Sequence, residues 1–192
     1  MQPFKKIKSI ATPLDKVNVD TDQIVPKQFL KLIQRTGFGQ YLFYDWRFEK
    51  GGIQRKDFVL NDPAFKNSKI LLARDNFGCG SSREHAVWAL DDYGFRVIIS
   101  TSFADIFYNN CFKNGILPIR VPEDVLEKLF STKSEIEVDL ETQSIKADGI
   151  SISFPIESHW KKILLEGLDD IAMILLHEDQ IVKYERSHKD LI

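Results

Sequence analysis

The chain has 192 residues, 43% of them hydrophobic, and a single domain of that size can bury roughly 70% of the surface its unfolded form exposes without staples. Its 26 basic and 28 acidic residues leave a net charge of −2, which excludes the basic surface of a nucleic-acid or anionic-membrane binder. Two cysteines, Cys79 and Cys111, are too few for a disulfide framework and fewer than the thiolates that hold an iron–sulfur cluster, so no metal is expected in this chain.

Taken in order, the first eight residues carry no apolar signal region. A first β-compatible run covers residues 7–11, and Asp20-Thr21-Asp22 follows as a loop or helix cap. The aromatic segment holding Tyr41, Phe43, Tyr44, Trp46 and Phe48 divides between core and a partner surface. Aliphatic runs at 70–73, 95–100 and 116–120 predict further strands. Pro122 suits the first turn of a helix whose Val125, Leu126, Leu129 and Phe130 share one side. Alternation at 136–140 and 150–154 predicts strands with one wet face, and residues 160–184 read as two helices broken near Gly167. The apolar run from Ile171 to Leu176 is far shorter than the ~20 residues of a membrane span, so a cytoplasmic chain without membrane contact is expected. No repeat or linker divides it, which predicts one α/β domain over residues 1–192.

At the centre lies a strand–loop–helix–strand unit: Ile70-Leu71-Leu72, a glycine-rich loop, a helix over residues 83–93 stopped by Gly94, then Val97-Ile98-Ile99. A crossover of this length can join parallel strands and leave its loop at the carboxyl end of the first, where ligands commonly bind. Gly78 and Gly80 let main-chain N–H groups approach a ligand closely. Ser81 or Ser82 is expected to cap the helix, whose N-terminus favours an anion, and Arg83 adds a guanidinium able to grip a carboxylate with two parallel bonds. Local physics leaves two readings open: a carboxylate or phosphate site, or only a capped helix after a tight turn. Neither the spacing of a nucleotide P-loop nor that of a hydrolase elbow is present.

The run Gly78-Cys79-Gly80-Ser81-Ser82-Arg83-Glu84-His85 resembles the signature of the swivelling domain of the aconitase superfamily. Asp20-Thr21-Asp22-Gln23-Ile24-Val25-Pro26, Gly37-Phe38-Gly39, Asp45-Trp46-Arg47-Phe48, Ser102-Phe103-Ala104-Asp105-Ile106-Phe107, Asn110 and Asn114-Gly115-Ile116-Leu117-Pro118 agree in order, so the likeness runs over essentially the whole chain. It implies a swivel-domain-like β/β/α layered fold and a hydro-lyase that moves a hydroxyl between adjacent carbons. The [4Fe-4S] cluster of that chemistry is then expected in a large partner subunit, with a small-molecule dicarboxylate as substrate.

Carried onto this sequence, the resemblance makes Ser81 the base that removes a proton α to a carboxylate. Gly80, Ser82 and Arg83 become substrate-binding residues, and Asp22 an active-site neighbour. Glu84 and His85 are expected to act structurally, and Cys79 to fill a tight turn. His159, His177 and His188 show no ligand spacing. Where aconitase-like sequences place an arginine for an extra carboxylate, this one reads Phe29-Leu30-Lys31-Leu32-Ile33. Leu32 and Ile33 suit an isopropyl-substituted malate, because methyl groups gain from aliphatic neighbours where a buried guanidinium would be stranded. Lys31 and Arg35 leave a second carboxylate open, so a tricarboxylate or another substituted malate is the nearest alternative. A non-catalytic anion-binding module is the alternative of a different kind.

Overall fold

A computed structural model describes residues 1–31 and 36–188. Two four-stranded sheets organise it. β1 (Lys6–Ser9) and β2 (Ala11–Leu14) come first, followed by the single-turn helices α1 (Thr21–Ile24) and α2 (Tyr44–Arg47). β3 (Ile70–Ala73), α3 (Glu84–Tyr93), β4 (Val97–Ser100), α4 (Asp105–Lys113), β5 (Leu117–Arg120) and α5 (Glu123–Ser131) then alternate. β6 (Ile136–Asp139), β7 (Ser144–Ala147) and β8 (Ile150–Ser153) form a meander, and α6 (Ser158–Glu166), α7 (Asp170–Leu175) and α8 (Glu178–Ser187) complete the described chain.

One sheet is parallel in the order β2-β3-β4-β5; the other is antiparallel in the order β1-β6-β7-β8. The run expected as one strand over 7–11 is therefore two, each in its own sheet. Its break is at Ile10, whose carbonyl lies 2.8 Å from the hydroxyls of both Ser9 and Ser68 and so leaves the ladder. β2 extends beyond the predicted run to Leu14 and includes Pro13, which lacks a ladder N–H and is tolerated because β2 is an edge. Pro118 occupies the opposite edge, on β5, for the same reason.

The two central parallel strands, β3 and β4, are buried on both faces, as α/β layering requires. Leu71, Ala73 and Ile98 face a core with Val87 and Leu90 of α3 and Phe107 and Cys111 of α4. Ile70, Leu72, Val97 and Ile99 face the other way, into a core with Leu126 and Leu129 of α5 and Val138 and Ile145 of the antiparallel sheet. The expected β/β/α layering and the central strand–loop–helix–strand unit are both present. Pro122 serves as N-cap of α5 instead of lying in its first turn, and the C-terminal segment holds three helices where two are predicted. Gly167 ends α6 as expected, and a second break falls between Leu175 and Glu178.

Candidate active site

The glycine-rich loop leaves the carboxyl end of β3 and continues the sheet irregularly between two flanking segments. On one side the Phe77 N–H donates to the Ser102 carbonyl at 3.1 Å, and the Ala104 N–H donates back to the Phe77 carbonyl at 3.1 Å. On the other, the Gly78 N–H donates to the Val19 carbonyl at 2.8 Å and the Thr21 N–H to the Cys79 carbonyl at 2.9 Å. Asn18 N–H donates to the Asp75 carbonyl at 2.9 Å, and the Ser102 hydroxyl accepts from the Asn76 N–H at 2.8 Å. The loop is thus gripped from both sides for most of its length, a rigid mount for the residues that follow.

Gly78 and Gly80 have φ of +78° and +88°, the left-handed region that favours glycine. A Cβ on Gly78 would meet the Phe107 ring at 2.1 Å, so the loop lies flat on α4. Beyond it Gly80, Ser81 and Ser82 are exposed, while Arg83 is half-buried. Neither serine caps α3, contrary to the sequence expectation. The N-cap is Arg83 in extended conformation, with no side-chain cap, and the helix begins at Glu84. The loop is still running at the serines, outside the helix, where the Thr21 hydroxyl donates to the Ser81 carbonyl at 2.9 Å. The uncapped N-terminus keeps its donors and partial positive charge beside Ser81 and Ser82.

Arg83 Nη1 donates to Asp22 Oδ1, and Lys27 Nζ lies 3.4 Å from Asp22 Oδ2, so Asp22 sits between two cations. Asp20 caps α1 in a reciprocal box with Gln23, at 2.8 Å and 3.0 Å, which fixes the turn that carries Asp22. One place at the sheet's carboxyl end therefore gathers Gly80, Ser81, Ser82, Arg83 and Asp22. Leu32, Ile33 and Arg35 lie outside the described residues.

Burial, with Asp20 nearby, raises the Cys79 thiol above its ordinary range, which disfavours the reactive thiolate and agrees with a residue filling a turn. Glu84 accepts from Asn114 Nδ2 at 2.9 Å, and the His85 ring packs 4.6 Å from Trp88 and 5.3 Å from Phe38, so both residues hold α3 in place. Of the aromatic segment, Phe43 is buried and Tyr41, Tyr44, Trp46 and Phe48 are half-buried. Buried Arg47 uses Nη1 on the Gly39 and Leu42 carbonyls, each at 3.3 Å, and burial lowers its pKa. Thr21 is the site residue that sequence reasoning passed over, since its role depends on a pairing with residues about 60 positions away. Among the described residues no group of three or more His, Cys, Asp or Glu side chains is placed to hold a metal ion, and no helix is long and apolar enough to cross a membrane.

The sequence matches a known family: the model of the aconitase C-terminal domain covers residues 1–124. The chain belongs to that family. It is 54% identical over 191 residues to the 3-isopropylmalate dehydratase small subunit of Brevibacillus brevis, covering 96% of this chain and 98% of the relative. The protein of the same name from Bacillus subtilis is 52% identical over 190 residues, covering 96% of each. Among solved structures, a 3-isopropylmalate dehydratase from Methanocaldococcus jannaschii superposes with a TM-score of 0.66 at 26% identity, covering 94% of this chain and 99% of that one. The small-subunit likeness extends past residue 124 to the meander and the C-terminal helices, so it encompasses both sheets.

Proposed function

We propose that this chain is the small subunit of a 3-isopropylmalate dehydratase, a single cytoplasmic domain that works with a large, cluster-bearing subunit. The pair interconverts 2- and 3-isopropylmalate by dehydration to 2-isopropylmaleate and rehydration, the second step of leucine biosynthesis. The observation that carries the reading is the exposed Ser81-Ser82-Arg83 run on a loop gripped from both sides, at the end of a sheet whose sequence matches small subunits throughout.

Ser81 removes the proton from the carbon α to a substrate carboxylate and returns it to the neighbouring carbon after the hydroxyl has moved. A serine hydroxyl is a weak acid, so its alkoxide needs donors already in place; the α3 N-terminus and the Arg83 guanidinium supply positive potential there. Arg83 gives one of its five N–H donors to Asp22, which fixes the fork and leaves its other edge for a substrate carboxylate. Ser82 and the Gly80 main chain hold further substrate oxygens. A [4Fe-4S] cluster held by the partner would supply a Lewis acid for the departing hydroxyl. This chain's residues do not fit that group: it has two thiols, Cys111 fully buried in α4 and Cys79 in the loop, so the cluster is assigned to the partner. Leu32 and Ile33 are proposed to line the isopropyl pocket.

The test is Ser81→Ala in the assembled two-subunit enzyme. Turnover of 3-isopropylmalate should fall about 10²- to 10⁴-fold, the usual worth of a general base, with assembly intact. Normal turnover would remove Ser81 as the base, and activity on tricarboxylates but not on isopropylmalate would reassign the substrate.

A further inference from the structure

The Thr21 side chain reaches the backbone of the proposed base itself. Its hydroxyl donates to the Ser81 carbonyl at 2.9 Å while its own N–H donates to the Cys79 carbonyl at 2.9 Å. One residue thereby holds two carbonyls, two positions apart, on the same side of the loop. Thr21 is 2% exposed, so its hydroxyl works where water does not compete freely. It does not wander, because the Asp20–Gln23 capping box closes the turn around it.

The consequence follows from peptide geometry. Among the described residues no peptide bond is cis, and in a trans peptide the carbonyl and the next N–H point in opposite directions. Drawing the Cys79 carbonyl toward Thr21 turns the Gly80 N–H away from it. Drawing the Ser81 carbonyl inward does the same for the Ser82 N–H. Two main-chain donors are thus turned away from Thr21, one on each side of Ser81. Gly80 can adopt the φ of +88° that this arrangement needs.

We propose that Thr21 is a positioning residue for the reaction: its hydroxyl, bonded to the Ser81 carbonyl, sets the peptide planes that aim Ser81 and the flanking N–H donors at the substrate. The proposal rests on the reading of Ser81 as the base. Thr21 itself touches no reacting atom, so it should act on turnover more than on affinity, since the main grip on the substrate carboxylate is assigned to the Arg83 guanidinium.

The experiment uses the two-subunit enzyme, with steady-state turnover of 3-isopropylmalate as readout and with Thr21→Val, Thr21→Ser and Thr21→Cys beside Ser81→Ala. Thr21→Val keeps the shape and removes the donor; kcat should fall about 10- to 100-fold, the order that a sub-ångström to 1 Å misplacement costs, with KM within about 3-fold. Thr21→Ser keeps the donor and loses a methyl, and should return kcat to within about 3-fold of the parent. If Thr21→Val does not assemble, the near-isosteric pair Thr21→Cys and Thr21→Ser asks the same question, with the thiol variant expected to be at least about 10-fold slower. The proposal is overturned if the donor-less variant turns over at the parent rate, or if the serine variant is as slow as the valine or cysteine one, which would make the methyl contact the cause. An active Ser81→Ala enzyme sinks the functional reading; an inactive one beside a fully active Thr21→Val sinks only the role of Thr21.

Discussion

Gly78 leaves no room for a single added carbon. Its φ of +78° strains any L side chain, and the Cβ would sit 2.1 Å from a Phe107 ring that is buried between Phe77 and Phe103. Gly80 shares the backbone strain with a φ of +88° but is far less crowded, its Cβ meeting Asp20 Cβ at a tight 3.3 Å that a few tenths of an ångström would relieve. Gly78→Ala should therefore cost about 2–5 kcal/mol, from left-handed strain plus overpacking, whereas Gly80→Ala should cost about 1–2 kcal/mol from strain with a small adjustment. Urea unfolding of the two variants checks the difference; equal losses would mean that Phe107 yields freely. These glycines and the Ser-Ser-Arg run were legible in the sequence because their chemistry is written in adjacent residues. The direction each carbonyl takes was not, since it depends on Thr21 and on Ser102 from separate strand ends, and the misplaced serine cap is the direct result.

Between elements, α3 is tied to α4 by Asn114, the C-cap of α4. Its Nδ2 donates to Glu84 in the first turn of α3 at 2.9 Å, and its Oδ1 accepts from the Trp88 indole at 3.0 Å, one turn along. The N-terminus of α3, which carries the proposed anion potential, is thereby fixed against a second helix. Asn114→Ala removes both bonds at a half-buried junction, together with a third from Nδ2 to the Asn110 carbonyl at 2.9 Å, and should lower stability by about 1–3 kcal/mol, a fall in Tm of roughly 2–10 °C for a chain of this size. Asn114→Asp should be no better, since it keeps an acceptor for Trp88 but sets a second carboxylate against Glu84. Thermal melts of both decide it, and a clear recovery in the aspartate variant would show the indole bond alone to matter. At this scale the strands of continuous aliphatic sequence were readable. Those that depend on edge position or on a sheet switch were not: β2 with its proline, the break at Ile10, and β7, where only Ile145 and Ala147 mark the buried face.

For the whole molecule, the parallel sheet separates two cores, and the second of them binds the C-terminal segment unevenly. Ile163 and Leu164 of α6 are buried, Trp160 stacks 4.9 Å from Phe112, and the Phe4 N–H donates to the Leu164 carbonyl at 2.8 Å, so α6 belongs to the fold. No residue of α7 or α8 is buried, and Ile171, Ile174 and Leu175 are more than half exposed. A chain ending after Leu168 should thus keep its Tm within about 3 °C of the parent, within the shift that about 1 kcal/mol produces at this size. Ending after Phe154 removes two buried aliphatic side chains worth about 1.5–3 kcal/mol each, together with the Trp160 stack, and should leave little folded protein. The pair of truncations, compared by circular dichroism melts, separates structural from peripheral helix. A large destabilisation in the longer one would mean that α7 packs on the second core in solution. The expectation of two helices past residue 160 missed this division because hydrophobic spacing gives α7 an apolar face like that of α6, and nothing in a helical period states which of two such faces finds a sheet to cover.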